Sequence, residues 1–283
     1  MSSWIKIPNK KRILKTNTTV NVFKPLRLII GIPTYPRDNI STYGLLQNTI
    51  NSLFDRNYNI MNVDIKFILI GDDYYNIEEL RNIFNGFNVD IYNININSAL
   101  RNENIPKEVK WMHAVTRSFI FLLEKSLELD YDYLLISADD ELYMNSALKN
   151  NIEYIRNYNY PDFIFSLGLH PSNKILPINV NYSDLLSNYP EPGNCTESGT
   201  LYNIKNTKFI KDMIAFRKER WEHVRKFIES GDINYIEYRI NPEDAELWEH
   251  LNIKFKNKEY SSLLIPKLLI HHITERTIFN YIK

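Results

Sequence analysis

Three acids in a row, Asp139, Asp140 and Glu141, follow directly on the segment Tyr131-Asp-Tyr-Leu-Leu-Ile-Ser-Ala138. Leu134, Leu135 and Ile136 form a short apolar run of the kind that makes a central strand covered on both faces, so the acids stand just past a strand's carboxyl end. Ligands of open α/β sheets collect there. Adjacent carboxylates repel one another unless a cation or solvent relieves them, and hard cations such as Mg²⁺ or Mn²⁺ prefer oxygen donors. A divalent-metal site is one reading; a solvated acidic loop is the other, since acids also favour the first turn of a helix. A second acidic pair, Asp72 and Asp73, ends another apolar run. An acid at that point accepts hydrogen bonds from a base N–H or from ribose hydroxyls. A third pair lies in Asn241-Pro-Glu-Asp-Ala-Glu, where Asn241 as cap, Pro242 at the first helical position and acids in the first turn account for Glu243 and Asp244 on structural grounds alone. Finally, Leu263-Leu-Ile-Pro-Lys-Leu-Leu-Ile ends in His271 and His272, of which strand alternation lets only one point inward.

The elements that must position these groups are legible from periodicity. Leu26-Arg-Leu-Ile-Ile-Gly-Ile-Pro33 reads as a first strand, stopped by Pro33-Thr-Tyr-Pro-Arg37 because two prolines forbid a continuing central strand. Leu45, Leu46, Ile50, Leu53 and Phe54 then give a helical stripe over 42–54. Strand, polar loop and helix are the first half of a nucleotide-binding βαβ unit. Further strands are expected over 63–73, 89–96, 162–168 and 263–272, with helices over 78–84, 111–129, 146–158, 209–228 and from 241. The helix pattern over 209–228 predicts a charged surface helix or helix pair around Trp221. The Pro-, Asn- and Ser-rich run 170–199 reads as one long loop, a length that is often functional.

In this order the motifs resemble those of nucleotide-sugar glycosyltransferases of the GT-A type, most closely glycosyltransferase family 2. Ser137-Ala-Asp-Asp140 resembles the family's Asp-x-Asp motif. Pro33-Thr34-Tyr35 resembles the end of its first strand, and Asp72-Asp73 its second-strand acids, here without the Gly-Ser that follows them in the family. The resemblance covers residues 26 to 272. It implies a single α/β domain with a mostly parallel, Rossmann-like central sheet flanked by helices. The nucleotide-binding half is expected over about 25–145, the acceptor half over about 146–283, and a basic extension over 1–24. It further implies that Pro33, Thr34, Tyr35, Arg37, Asp72, Asp73, Arg117 and Asp139 contact the nucleotide. Asp140 with His271 or His272 would hold Mn²⁺ or Mg²⁺, and Asp244 would be the catalytic base.

The implied activity is a hexosyl or N-acetylhexosaminyl transfer from a nucleotide-diphosphate donor, UDP-sugar first, to a hydroxyl of a glycan, protein or lipid, inverting the anomeric carbon. A retaining enzyme of the same fold and a sugar nucleotidyltransferase are the alternatives; the latter ordinarily carries a Gly-rich phosphate loop. No Gly-x-Gly-x-x-Gly or Walker loop occurs, and the chain has 8 glycines in 283 residues, so a dinucleotide or P-loop site has no support. With 34 basic and 34 acidic residues nothing draws the chain as a whole to nucleic acid or to an anionic membrane. The single cysteine, Cys195, excludes an internal disulfide and fits a reducing compartment. No apolar run approaches the roughly 20 residues of a transmembrane helix, and the first residues lack a secretory signal's apolar core. A cytoplasmic protein is the expectation.

Overall fold

The computed structural model describes residues 24–34, 41–54, 62–71, 76–94, 107–143, 147–169, 199–230 and 243–272. Strands are β1 (Leu26–Pro33), β2 (Val63–Gly71), β3 (Asn88–Asn93), β4 (Tyr133–Ile136), β5 (Glu141–Tyr143), β6 (Phe163–Leu169), β7 (Thr200–Asn203) and β8 (Ser262–His272). Helices are α1 (Thr42–Leu53), α2 (Ile77–Ile83), α3 (Lys107–Leu127), α4 (Ala147–Asn157), α5 (Thr207–Ser230) and α6 (Glu243–Lys256). All eight strands form one sheet in the order β3-β2-β1-β4-β7-β6-β8-β5. β3, β2, β1 and β4 are parallel to one another, as are β6 and β8; β7 runs antiparallel between β4 and β6, and β5 antiparallel to β8.

Period-two alternation sorts the strand side chains onto two cores. Leu28, Ile30 and Ile32 of β1 join Leu69, Tyr133 and Leu135 on the face covered by α1, α2 and α4. Ile29, Ile70, Leu134 and Ile136 face α3, α5 and α6 on the other. Each Leu or Ile buried in this way contributes about 1.5–3 kcal/mol. Gly31 is the exception on β1. A Cβ there would sit 2.6 Å from Cδ2 of Leu122, so the glycine lets α3 lie directly on the strand.

The expected single α/β domain is what the chain forms, with two additions. β7 was not expected: four residues just past the run read as one long loop, which lies outside the described residues but for Gly199, insert antiparallel beside β4. β5 was expected as part of an acidic loop, yet Glu141 opens a three-residue strand paired to β8. Of the surface helix or helix pair read over 209–228, the chain forms the single helix, exposed at Lys208, Lys211, Lys218 and Glu219. α5 is one 24-residue helix whose Phe209, Ile210, Met213 and Arg217 are all 0 % exposed. The Arg217 guanidinium lies 5.1 Å from the Phe119 ring centroid, and its Nη2 donates to the Tyr202 hydroxyl at 3.4 Å. Pro266 falls within β8 between Ile265 and Ile270, where pairing with β6 is irregular. A residue without an N–H is tolerated in a strand at such a break.

Candidate active site

The chain builds β1, β2 and β3 outward in one direction, then returns through α3, which crosses the opposite face, to place β4 on the other side of β1. The carboxyl ends of β1 and β4 therefore flank a topological switch point, where the two connections diverge and leave a crevice. Pro33 and Thr34 stand at one lip, Ser137 to Glu141 at the other. Thr34 is 2 % exposed; its N–H and its hydroxyl both donate to the Ile70 carbonyl, at 2.9 and 2.8 Å. It thus ties the ends of β1 and β2 together at the edge where the nucleotide contacts were expected. Tyr35, Arg37, Asp72 and Asp73, expected beside it, lie outside the described residues.

The acidic turn is a bonded unit. Asp139 and Glu141 are both 0 % exposed, whereas Asp140 is only partly buried. The turn is fixed from α1. The Thr49 hydroxyl donates to the Asp139 carbonyl at 3.0 Å and accepts the Glu141 N–H at 3.1 Å. One helical turn on, Ser52 Oγ donates to the Thr49 carbonyl at 2.7 Å and accepts the Tyr143 N–H at 3.0 Å. From within, Glu141 Oε2 accepts from the Ser137 hydroxyl and the Ala138 N–H, both at 3.3 Å, and from the Tyr143 phenol at 3.0 Å. Burial, and secondarily the adjacent Glu141 carboxylate, push the Tyr143 phenol far above its usual value, so it stays a hydrogen-bond donor throughout the physiological range.

The β5–β8 pairing brings the chain's far end to this turn: His272 is registered against Glu141 and His271 against Leu142. The two histidines thus share an edge with the acids they were expected to join. Among the described residues no group of three or more His, Cys, Asp and Glu side chains converges closely enough to hold a metal. Asp140 supplies a partly exposed hard oxygen donor, and imidazole is compatible with Mn²⁺, so the residue types fit a divalent cation.

Asp244 lies in the first turn of α6. The carboxyl-terminal end of that helix feeds β8 at the edge where β6 and β8 begin, as the Ser261–Asp162 contacts there show. Leu247 and Leu251 bury against α5, and the His250 ring stacks on Phe216 at 4.7 Å. The helix is fourteen residues long, about 21 Å at 1.5 Å per residue, and among the described residues none of its main contacts is with the acidic turn. Arg117 is half-exposed on α3. A hollow of about 290 Å³, lined by Lys24, Leu26, Asp132, Tyr160 and Lys205 among others, sits at the opposite, amino edge and shares no residue with the site.

Thr49, Ser52 and the bracing contacts of Glu141 were not anticipated. A signal existed: Thr49 falls in the buried stripe Thr42, Leu45, Leu46, Thr49, Ile50, Leu53 of α1, and a hydroxyl in such a stripe must find partners.

Comparison with known proteins gives likeness of chain trace only. No protein-family model and no curated protein matches. Among solved structures, residues 1–349 of S. aureus TarS align over 90% of this chain and 63% of that one, at 9% identity and a TM-score of 0.45. The mannosyltransferase PcManGT from Pyrobaculum calidifontis, in complex with GDP-Man and Mn²⁺, aligns over 92% and 60%, at 10% identity and 0.46. Mouse xyloside xylosyltransferase 1 aligns over 85% of each chain, at 7% and 0.44. This chain therefore spans less than two thirds of the TarS fragment and of the mannosyltransferase. No described helix is long and apolar enough to cross a membrane.

Proposed function

We propose that the chain is a GT-A-type glycosyltransferase that moves a sugar from a nucleoside diphosphate, UDP first, to a hydroxyl of a glycan, protein or lipid acceptor. The observation that carries this reading is the acidic turn at the β1/β4 switch point, anchored by buried bonds and registered against the histidine pair. A turn so constrained holds carboxylates at the mouth of a nucleotide crevice.

Asp140, with His271 or His272, would hold Mn²⁺ or Mg²⁺, which when bound supplies positive charge beside the departing diphosphate. Asp139 would orient the donor, and Arg117 would add a cation near the phosphates. Pro33, Thr34, Tyr35 and Arg37, with Asp72 or Asp73, would line the nucleoside pocket. Asp244 would accept the proton of the acceptor hydroxyl as that oxygen attacks the anomeric carbon from the face opposite the leaving group. A single displacement of this kind inverts the configuration.

Two measurements test the reading. UDP titrated calorimetrically into the protein with and without Mn²⁺ should bind at least tenfold more tightly with the metal; equal affinities would remove the acidic turn as a ligand set. Asp244→Asn should keep that affinity and lose about 10²–10⁴-fold in transfer rate, the usual contribution of a general base. Unchanged turnover would take Asp244 out of the mechanism.

A further inference from the structure

We infer that Thr49 is a positioning residue for the candidate metal turn, acting with Glu141 to set the height and angle at which Asp140 is presented. The inference rests on the metal-assisted reading above. A hydroxyl has one proton to give and lone pairs to receive with. Thr49 gives its proton to the Asp139 carbonyl and receives the Glu141 N–H, so its two bonds straddle Asp140 from below and fix the backbone on either side of it. Glu141 completes the brace from the far side. Its Oε2 gathers the Ser137 hydroxyl, the Ala138 N–H and the Tyr143 phenol, which folds the turn around a buried carboxylate oxygen.

The three acids therefore divide by task. Asp140 is the one left partly exposed, and Glu141 commits an oxygen to holding the loop in shape. α1 itself is capped by the Ser41 side chain, which accepts the Gly44 N–H at 3.2 Å. α1 thus holds the acidic lip of the crevice, whereas Thr34 at the other lip is tied to β2. Groups that orient a metal's ligands typically change its affinity 10–100-fold when removed.

The test uses the full chain and reads Mn²⁺ binding from the free-ion electron paramagnetic resonance signal, in the presence of saturating UDP. Thr49→Val keeps the side chain's shape and removes both bonds; its Mn²⁺ dissociation constant should rise at least tenfold. Thr49→Ser keeps the hydroxyl and should stay within threefold of the parent. Ser52→Ala removes the Tyr143 N–H contact from the same helix face and should weaken Mn²⁺ by a few-fold, so it serves if Thr49→Val does not fold. A folded Thr49→Val with parental Mn²⁺ affinity, or an equal loss in Thr49→Ser, overturns the positioning role while leaving the metal-assisted reading in place. Absence of UDP-linked Mn²⁺ binding in the parent overturns both.

Discussion

Gly31→Ala places a methyl group 2.6 and 2.9 Å from the Cδ2 and Cδ1 atoms of Leu122 and 3.2 Å from its Cγ. Ordinary carbon contacts lie near 3.5–4.0 Å, so the leucine must give way by about 1 Å. Leu122 is 0 % exposed and sits in the α3-side core. Overpacking of this kind costs about 1–3 kcal/mol, and the lower chain entropy of alanine returns about 0.5–1 kcal/mol. The net expectation is a loss of about 0–2.5 kcal/mol. Leu122→Ala alone should cost about 2–5 kcal/mol through its cavity. In the double variant the new methyl enters the space that the leucine vacates. The two costs should then fall short of their sum by at least about 1 kcal/mol, measured by urea denaturation of all four proteins. Additivity within about 0.5 kcal/mol, the behaviour of independent sites, would refute the seating of α3 on β1. Because Pro33 ends the same strand and Thr34 follows it, Gly31→Ala should, on the function proposed above, also weaken UDP binding.

Other expectations are more local. Asn76→Ala removes the cap that accepts the Glu78 and Glu79 N–H groups at 3.0 and 3.4 Å; it should cost about 1 kcal/mol, read as a lower urea midpoint with an unchanged slope. Asp162→Ala strips the carboxylate that accepts from the Ser261 N–H and hydroxyl at 2.8 and 2.9 Å and from Asn206 at 2.7 Å. It should cost about 1.5–3 kcal/mol and loosen the start of β6 and β8 in hydrogen exchange. At high pH, Tyr260 titrates late. Burial, and then the Asp212 carboxylate it bonds, push its phenol up to about 12, and Tyr133 moves in the same direction. The folded state favours the protonated phenol, so this stability is intact below about pH 10 and is lost as pH climbs toward about 12. Unfolding midpoints should decline over that window, and Tyr260→Phe should flatten part of the decline; identical pH profiles for the two proteins would contradict it.

The strands and helices of the first half were legible because their patterns are long and unmixed. Apolar runs such as Leu26–Pro33 and Val63–Gly71, and the 3.6-residue stripe of α1, admit one solution each. β7 was hidden because Thr-Leu-Tyr-Asn carries no run of its own; neighbours on both sides make it a strand. β5 is strand only because β8 reaches it, a pairing that no local signal announces. The burial of Arg217 was unreadable for a related reason. Charges spaced along a helix imply a wet face, and only the Phe119 ring and Tyr202 hydroxyl packed against it show otherwise. At the site, the order of the acids was visible in the chain. That Asp139 and Glu141 are fully buried, with α1 holding the turn between them, depends on contacts some 90 residues apart in sequence.

The pairing of Glu141 with His272 also bears on how the protein comes into being. During synthesis the acidic turn emerges from the ribosome long before the strand that registers it. Contacts of such sequence separation are closed late and slowly in folding. Until then β5 has no partner strand among the described residues, and in a nascent or truncated chain ending before residue 262 the acidic turn would be held from α1 and by its own bonds alone. On the metal-assisted reading proposed above, cation affinity would report the pairing of β5 with β8, and a pulse of Mn²⁺ during refolding would time that step.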